Sequence, residues 1–341
     1  MSLRRRQVLD CRQVLDRVLD RRQILRLAAA AAAIPVAPRL ALALDYPNRP
    51  VRMLVGYTAG SPPDIAGRLL AQFLSEHLGQ QFITENKPGA GTNLSTEAVV
   101  RAAPDGYTLL VVATPNMIGG LLNAHLSFNF VRDVAPVGYI CATPFVVVVT
   151  PSFPAKNIAE LIAYAKANPG KVNMASNGTG NLTHISGELF KMMAGVDLFH
   201  VPYRGEMEAQ TDLQSGRAQV MFDPIISSIG AIKAGKLRVL AVTTPQRIAA
   251  LPEVPTVGET VPGYSVTGGL GVGAPHGTPG DVVARLNAAM NAGLADPALK
   301  QRLIDLGTIP MPMSPAAYST MIAEETAKWN KVIQFAGIKI D

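Results

Sequence analysis

The stretch Val51-Arg-Met-Leu-Val-Gly-Tyr-Thr-Ala-Gly-Ser-Pro-Pro-Asp64 decides the fold. A short apolar strand breaks into small and hydroxyl residues, and a helix-like run follows over residues 65–78. The arrangement returns at Val172-Asn-Met-Ala-Ser-Asn-Gly-Thr-Gly-Asn-Leu-Thr-His184, with a second helix-like run to Met193. A helix start leaves backbone N–H groups unpaired and carries partial positive charge, so it favours an anion. Two such starts facing each other would hold a small carboxylate without any charged side chain.

Outward from these turns, strands and helices alternate, which predicts a parallel α/β sheet. Strands are expected at 52–56, 81–85, 107–113, 136–150, 172–175, 198–201, 219–222 and 237–243. Helices are expected at 65–78 (capped by Asp64), 94–103, 158–167, 181–193 and 206–215. No element is expected in the Pro/Gly-rich stretch 251–279, and three helices close the chain at 280–294, 297–306 and 315–336. These last helices should pack back on the first half. That predicts lobe 1 from residues 44–145 and 269–341, lobe 2 from 146–268, and hinges near 140–150 and 255–275.

Charge is unevenly placed. Nine of the 31 basic and three of the 25 acidic residues lie in residues 1–43, so that segment carries the whole formal +6. Beyond it the charges balance, which excludes a nucleic-acid or membrane-surface patch. The segment itself reads as an export signal. Asp20-Arg21-Arg22-Gln23-Ile24-Leu25-Arg26 fits a twin-arginine pattern, an Ala-rich run follows, and Ala41-Leu42-Ala43 makes a cleavage site before Leu44. The near-repeat Arg-Gln-Val-Leu-Asp at 6–10 and 12–16 gives this leader a long n-region, and points to a translation start placed upstream of the true one. Pro35, Pro38 and Arg39 interrupt the apolar run, which is too short to span a bilayer. Past the leader only Cys141 remains, in an apolar run, so it reads as a small core residue rather than a disulfide partner or catalytic thiol.

Motifs for chemistry are thin. Gly178-Thr-Gly180 superficially resembles a dinucleotide loop, but Thr183 stands where the third glycine belongs. His184 and Glu188 lie four apart with His200 beyond, yet no second closely spaced pair supports a metal. Asp64 is a helix cap or a general base. Asp223 ends a strand, where α/β sheets place ligand contacts. Tyr57 and Tyr203 each follow a strand and could stack on a ligand or pack in the core. Arg204 could pair with a carboxylate or lie on the surface.

Several stretches in a fixed order carry a resemblance. They are Tyr46-Pro-Asn-Arg-Pro-Val-Arg52, the Gly60…Asp64…Arg68 loop, Glu85-Asn-Lys-Pro-Gly-Ala-Gly91 and Pro104-Asp-Gly-Tyr-Thr108. Then come Ser176-Asn-Gly-Thr-Gly180 with His184, His200-Val-Pro-Tyr-Arg-Gly205, Leu251-Pro-Glu-Val-Pro-Thr256 and Ala274-Pro-His-Gly-Thr-Pro279. The chain resembles the periplasmic substrate-binding components of tripartite tricarboxylate transporters, the Bordetella uptake gene family. The resemblance implies a type II periplasmic-binding-protein fold, with two α/β lobes closing on a small carboxylate held by backbone N–H groups and ordered waters. It implies delivery to the large and small permease subunits in the membrane, with no catalysis, cofactor or metal. The chain departs from the family where the usual second loop glycine is Ser61 and where Gly268-Gly269 replaces an aromatic.

The expected ligand contacts are Tyr57, Thr58, Ala59, Gly60, Ser61, Asp64, Thr114 and Asn116 from lobe 1. From lobe 2 they are Ser176, Asn177, Thr179, Gly180, His184, Tyr203 and Asp223. The expected function is capture of a small organic carboxylate outside the cytoplasm by a monomer. The alternative is a sensor of the same fold that signals to a membrane kinase, or an enzyme.

Overall fold

The computed structural model describes residues 46–123 and 125–339. The export-signal reading of residues 1–43 lies outside them. The described residues form one compact unit.

The first strand, β1 (Val51–Val55), leads into α1 (Pro62–Leu78), then β2 (Phe82–Asn86), α2 (Asn93–Val100) and β3 (Thr108–Ala113). These three strands pair in parallel, in the order β2-β1-β3. The helix α1 begins three residues before the expected start, because prolines at its first two positions need no N–H partner there. Asp64 is therefore not the cap; Ser61 occupies that position.

Next come α3 (Thr114–Leu122), the short α4 (Phe130–Asp133) and the long β4 (Val134–Val149). Buried on both faces, β4 reads as a continuous apolar run rather than an alternating one. Its first part pairs antiparallel with the ninth strand; its second part, from Phe145, pairs antiparallel with the seventh and eighth.

The second group of elements is α5 (Ile158–Ala167), β5 (Asn173–Ser176), α6 (Leu182–Ala194), β6 (Phe199–Pro202), α7 (Glu206–Ser215), β7 (Val220–Pro224), α8 (Ile225–Lys233) and β8 (Arg238–Val242). Here β5 pairs in parallel with β6 and β7. The chain then returns through β9 (Thr267–Pro275), which lies antiparallel between β3 and β4, and closes with α9 (Gly280–Ala295), α10 (Pro297–Asp305), β10 (Ile309–Pro310) and α11 (Pro315–Ala336). The sheet is thus mixed, and the expectation of a purely parallel one is corrected: parallel wings flank an antiparallel centre of β4 and β9. The strand β9 lies inside the stretch where no element was expected.

Three apolar clusters fill the layers. Met53, Leu70, Leu109, Ile140, Leu286 and Leu303 pack α1, α9 and α10 on the first wing. Val146, Val148, Ala175, Leu213 and Met221 pack α7 on the second. A third cluster joins Leu110 and Val112 to Val147, Phe190, Phe222 and the fully buried Trp329. Through it α11 packs on β4, α3 and α6 together, so the last helix covers both wings rather than the first alone. Cys141 is fully buried, and burial pushes its thiol up to about 11, so it is an inert core residue.

Candidate ligand cleft

A cleft of about 420 Å³ opens between the two wings. Five helix starts meet there. From the first wing come Ser61, Pro62 and Pro63 of α1 and Thr114 and Pro115 of α3; from the second, Leu182 and Thr183 of α6, Glu206 of α7, and Ile226 and Ser227 of α8. Each start follows a strand or the turn after one, so the local chain order places all five at one level.

The donors they offer differ. In α6 the first i→i−4 bond runs from Ile185 to Asn181, which leaves the N–H groups of Leu182 and Thr183 for another partner. The α8 start contributes Ile226 and Ser227 in the same way. In α1, by contrast, Pro62 and Pro63 have no N–H, so this start offers field more than donors. The walls between are Tyr57, Thr143, Phe145 and Gly268–Leu270. Glu206 is the one charged side chain among the lining residues.

Of the expected contacts, the structure brings Tyr57, Ser61, Thr114 and Asn177 to this cleft. Thr58, Ala59 and Gly60 are exposed in the loop beside it. The others are turned elsewhere, for physical reasons. Asp64 is buried and accepts bonds from Gly60 N–H (2.8 Å), Arg68 and Asn86 (2.7 Å), lashing the loop to the end of β2. Burial alone would raise its pKa, but these bonds outweigh it and hold the carboxyl below its ordinary value. Asn116 is buried and accepts from Ala113 N–H at 2.8 Å. Ser176 is buried against His200, with Oγ 2.7 Å from Nε2.

Gly180 does not present its N–H to a ligand, because that group donates to His184 Nδ1 at 3.1 Å. His184 in turn stacks on His200 with 3.6 Å between ring centres, and its Nε2 lies 3.5 Å from Glu188. Thr179 and both histidines line a separate recess under the C-terminal residues Phe335–Lys339. Tyr203 bonds Asp212 at 2.9 Å, outside the cleft. Asp223 is fully buried behind Glu206. The start of α8 and the lining residues Glu206, Gly268 and Gly269 were not read as contacts, and Thr114 was read as one without the helix it begins. Only the pattern "strand end followed by helix start", applied at β7 as well as at β1 and β5, could have found the α8 start.

The sequence profile described as "Tripartite tricarboxylate transporter family receptor" matches residues 66–338. The chain belongs to this family. It is therefore a receptor of a transport family rather than an enzyme. Among solved structures, Rpa4515 of R. palustris, determined with adipate, is 35% identical with a TM-score of 0.74, covering 86% of this chain and 99% of that one. The periplasmic binding protein BugD is 33% identical with a TM-score of 0.70, over 86% and 99%. MatC of Rhodopseudomonas palustris, with bound malate, is 31% identical with a TM-score of 0.70, over 84% and 100%. The family receptor thus has the fold of periplasmic binding proteins, with two α/β lobes about a cleft.

Proposed function

We propose that this receptor captures a small organic carboxylate in the cleft and hands it, as a monomer, to the membrane permease subunits of a tripartite transporter. The observation that carries the reading is the convergence of five helix starts on one cleft whose lining holds no Arg, Lys or His. Such a site favours a small anion through N–H groups and aligned peptide dipoles, and offers no grip for a polyphosphate. The likeness to proteins solved with adipate and malate supports the ligand class. Export through a twin-arginine leader cleaved after Ala43 belongs to the same proposal.

A ligand that binds only the folded state stabilises it by RT ln(1 + [L]/Kd), about 2.7 kcal/mol at a hundredfold excess over Kd. A thermal-melting screen of dicarboxylates, aromatic carboxylates, acidic amino acids and nicotinate, against ATP, NAD and sugars, reads this directly. A rise of a few degrees with carboxylates alone is the expected result. Stabilisation by nucleotides or sugars, with none from any carboxylate, would overturn the assignment.

A further inference from the structure

Glu206 is the first residue of α7, and Gln210 follows one turn later on the same face. That face meets the end of β7. Gln210 donates to Asp223 Oδ2 at 2.8 Å, and Ser228 Oγ donates to the same oxygen. The other Asp223 oxygen, Oδ1, is buried with no partner among the described residues, and so is Glu206 Oε1. Glu206 Oε2 accepts from Asn177 Nδ2 at 2.8 Å, and Asn177 also lines the cleft. Two carboxyl groups with facing, otherwise unpartnered oxygens can coexist in a buried place only when one carries a proton.

The proton sits on Asp223. Burial first, and the neighbouring Glu206 second, push its carboxyl well above the ordinary value. Asp223 can then donate and Glu206 accept, while Asn177 holds the other Glu206 oxygen at the cleft wall. A carboxylate accepts up to about four hydrogen bonds, and Glu206 lines the cleft, so its partners Asn177 and Asp223 do not exhaust it. The cleft therefore has two unlike regions: N–H groups and helix dipoles at the starts of α3, α6 and α8, and an acceptor carboxyl at the start of α7.

We infer that Glu206 sets specificity, and that the ligand of this cleft is a carboxylate carrying an ammonium or hydroxyl donor directed at Glu206, rather than a plain dicarboxylate. This inference rests on the carboxylate reading of the cleft and deepens it. A second carboxylate at the α7 start would meet Glu206 as a like charge, which disfavours it; an ammonium or hydroxyl there satisfies an acceptor the fold has already desolvated. Asp223 is a positioning residue, since it acts through Glu206.

The test is calorimetric titration of the whole protein with three ligands on one carbon skeleton: glutarate, 2-hydroxyglutarate and glutamate, with 4-aminobutyrate as the donor-bearing monocarboxylate. Donor-bearing ligands should bind the wild type about tenfold or more tighter than glutarate, the worth of one good hydrogen bond to a charged group. In Glu206→Gln that preference should shrink severalfold and glutarate should gain affinity, with an unchanged melting midpoint showing that the variant folds. Asp223→Asn keeps a donor toward Glu206 and should preserve the wild-type ranking. Glutarate binding as tightly as its amino and hydroxy derivatives, or a ranking indifferent to Glu206→Gln, overturns the inference while leaving the carboxylate reading intact. Failure of every carboxylate to bind overturns both.

Discussion

His200 stacks face to face on His184, bonds Ser176, and lies near Glu188 and Lys191. Burial first, and the neighbouring His184 second, push its pKa down to about 4, with Glu188 opposing. A histidine neutral in the folded state but charged when unfolded gives the unfolded chain more bound protons below the ordinary value of about 6.5. Stability must then fall as pH drops from about 6.5 and level off below about 4. Urea titrations of wild type and His200→Gln at several pH values between 7.5 and 4 would check this. The variant should be less stable at neutral pH but lose less on acidification. Parallel pH curves would mean that His200 titrates alike in both states.

Asp64 shifts the same way at the same scale but for another reason, because hydrogen bonds to its charged form outweigh burial. Its folded pKa is depressed, so its contribution is present above the unfolded value and is lost as pH falls through the folded one. Asp64→Ala removes the acceptor for Gly60 N–H, Arg68 and Asn86 together. We expect a loss of about 1–3 kcal/mol, because three hydrogen bonds to one charged acceptor go together. Ligand affinity should fall as well, since the loop carrying Tyr57 and Ser61 is released from β2. A variant with normal affinity would show that this loop does not need its lashing.

Elements were legible wherever local pattern and tertiary role agreed. The helices α5 and α7 match their expected bounds, and β1, β3, β5 and β7 fall within a residue or two of theirs. The strand β9 was hidden because Gly268, Gly269, Gly271 and Gly273 fill it with a residue depleted in strands, leaving only Thr267 and Val272 as β-branched signals. Those glycines have a packing reason visible only in three dimensions. A Cβ at Gly269 would collide with the Tyr139 hydroxyl, and one at Gly271 with that of Tyr318. Gly269→Ala should therefore cost about 1–3 kcal/mol through overpacking, read as a lower urea midpoint with unchanged slope.

The site was legible only as a set of turns. Which atoms of each turn face the ligand depends on partners far along the chain: His200 for Ser176, Asn86 for Asp64, Thr96 for Asn116. No local pattern reveals those pairings. The helices α3 and α8 were not expected, although Thr114 and Asn116 were read as contacts, because Pro115, Gly119 and Gly120 in one, and the β-branched pair Ile225-Ile226 in the other, read as poor helix formers.

At the scale of the molecule, the two wings are joined by ordered strands rather than by loose linkers. The chain crosses within β4 near Phe145 and returns from Val266 into β9, where Thr267 pairs with Pro144. Any opening of the cleft must then bend β4 and β9 while leaving their ladders intact, a hinge of small amplitude per residue. Across the mouth, Ile226 at the α8 start lies against Gly307, which adopts φ +71° just after α10. Ile226 is 39% exposed, so it is a partly covered apolar contact between the wings rather than a core residue. A contact made only when the wings are together contributes to ligand affinity and not to the fold of either wing. Ile226→Ala should therefore weaken carboxylate binding by about 1 kcal/mol, roughly fivefold in Kd, for the apolar surface it loses. The ligand-free melting midpoint should barely move. Small-angle scattering should show a ligand-dependent contraction in both proteins, with the variant needing more ligand to reach it. If the variant binds as tightly as wild type, the Ile226–Gly307 contact persists in the open state and closure is governed elsewhere along the cleft.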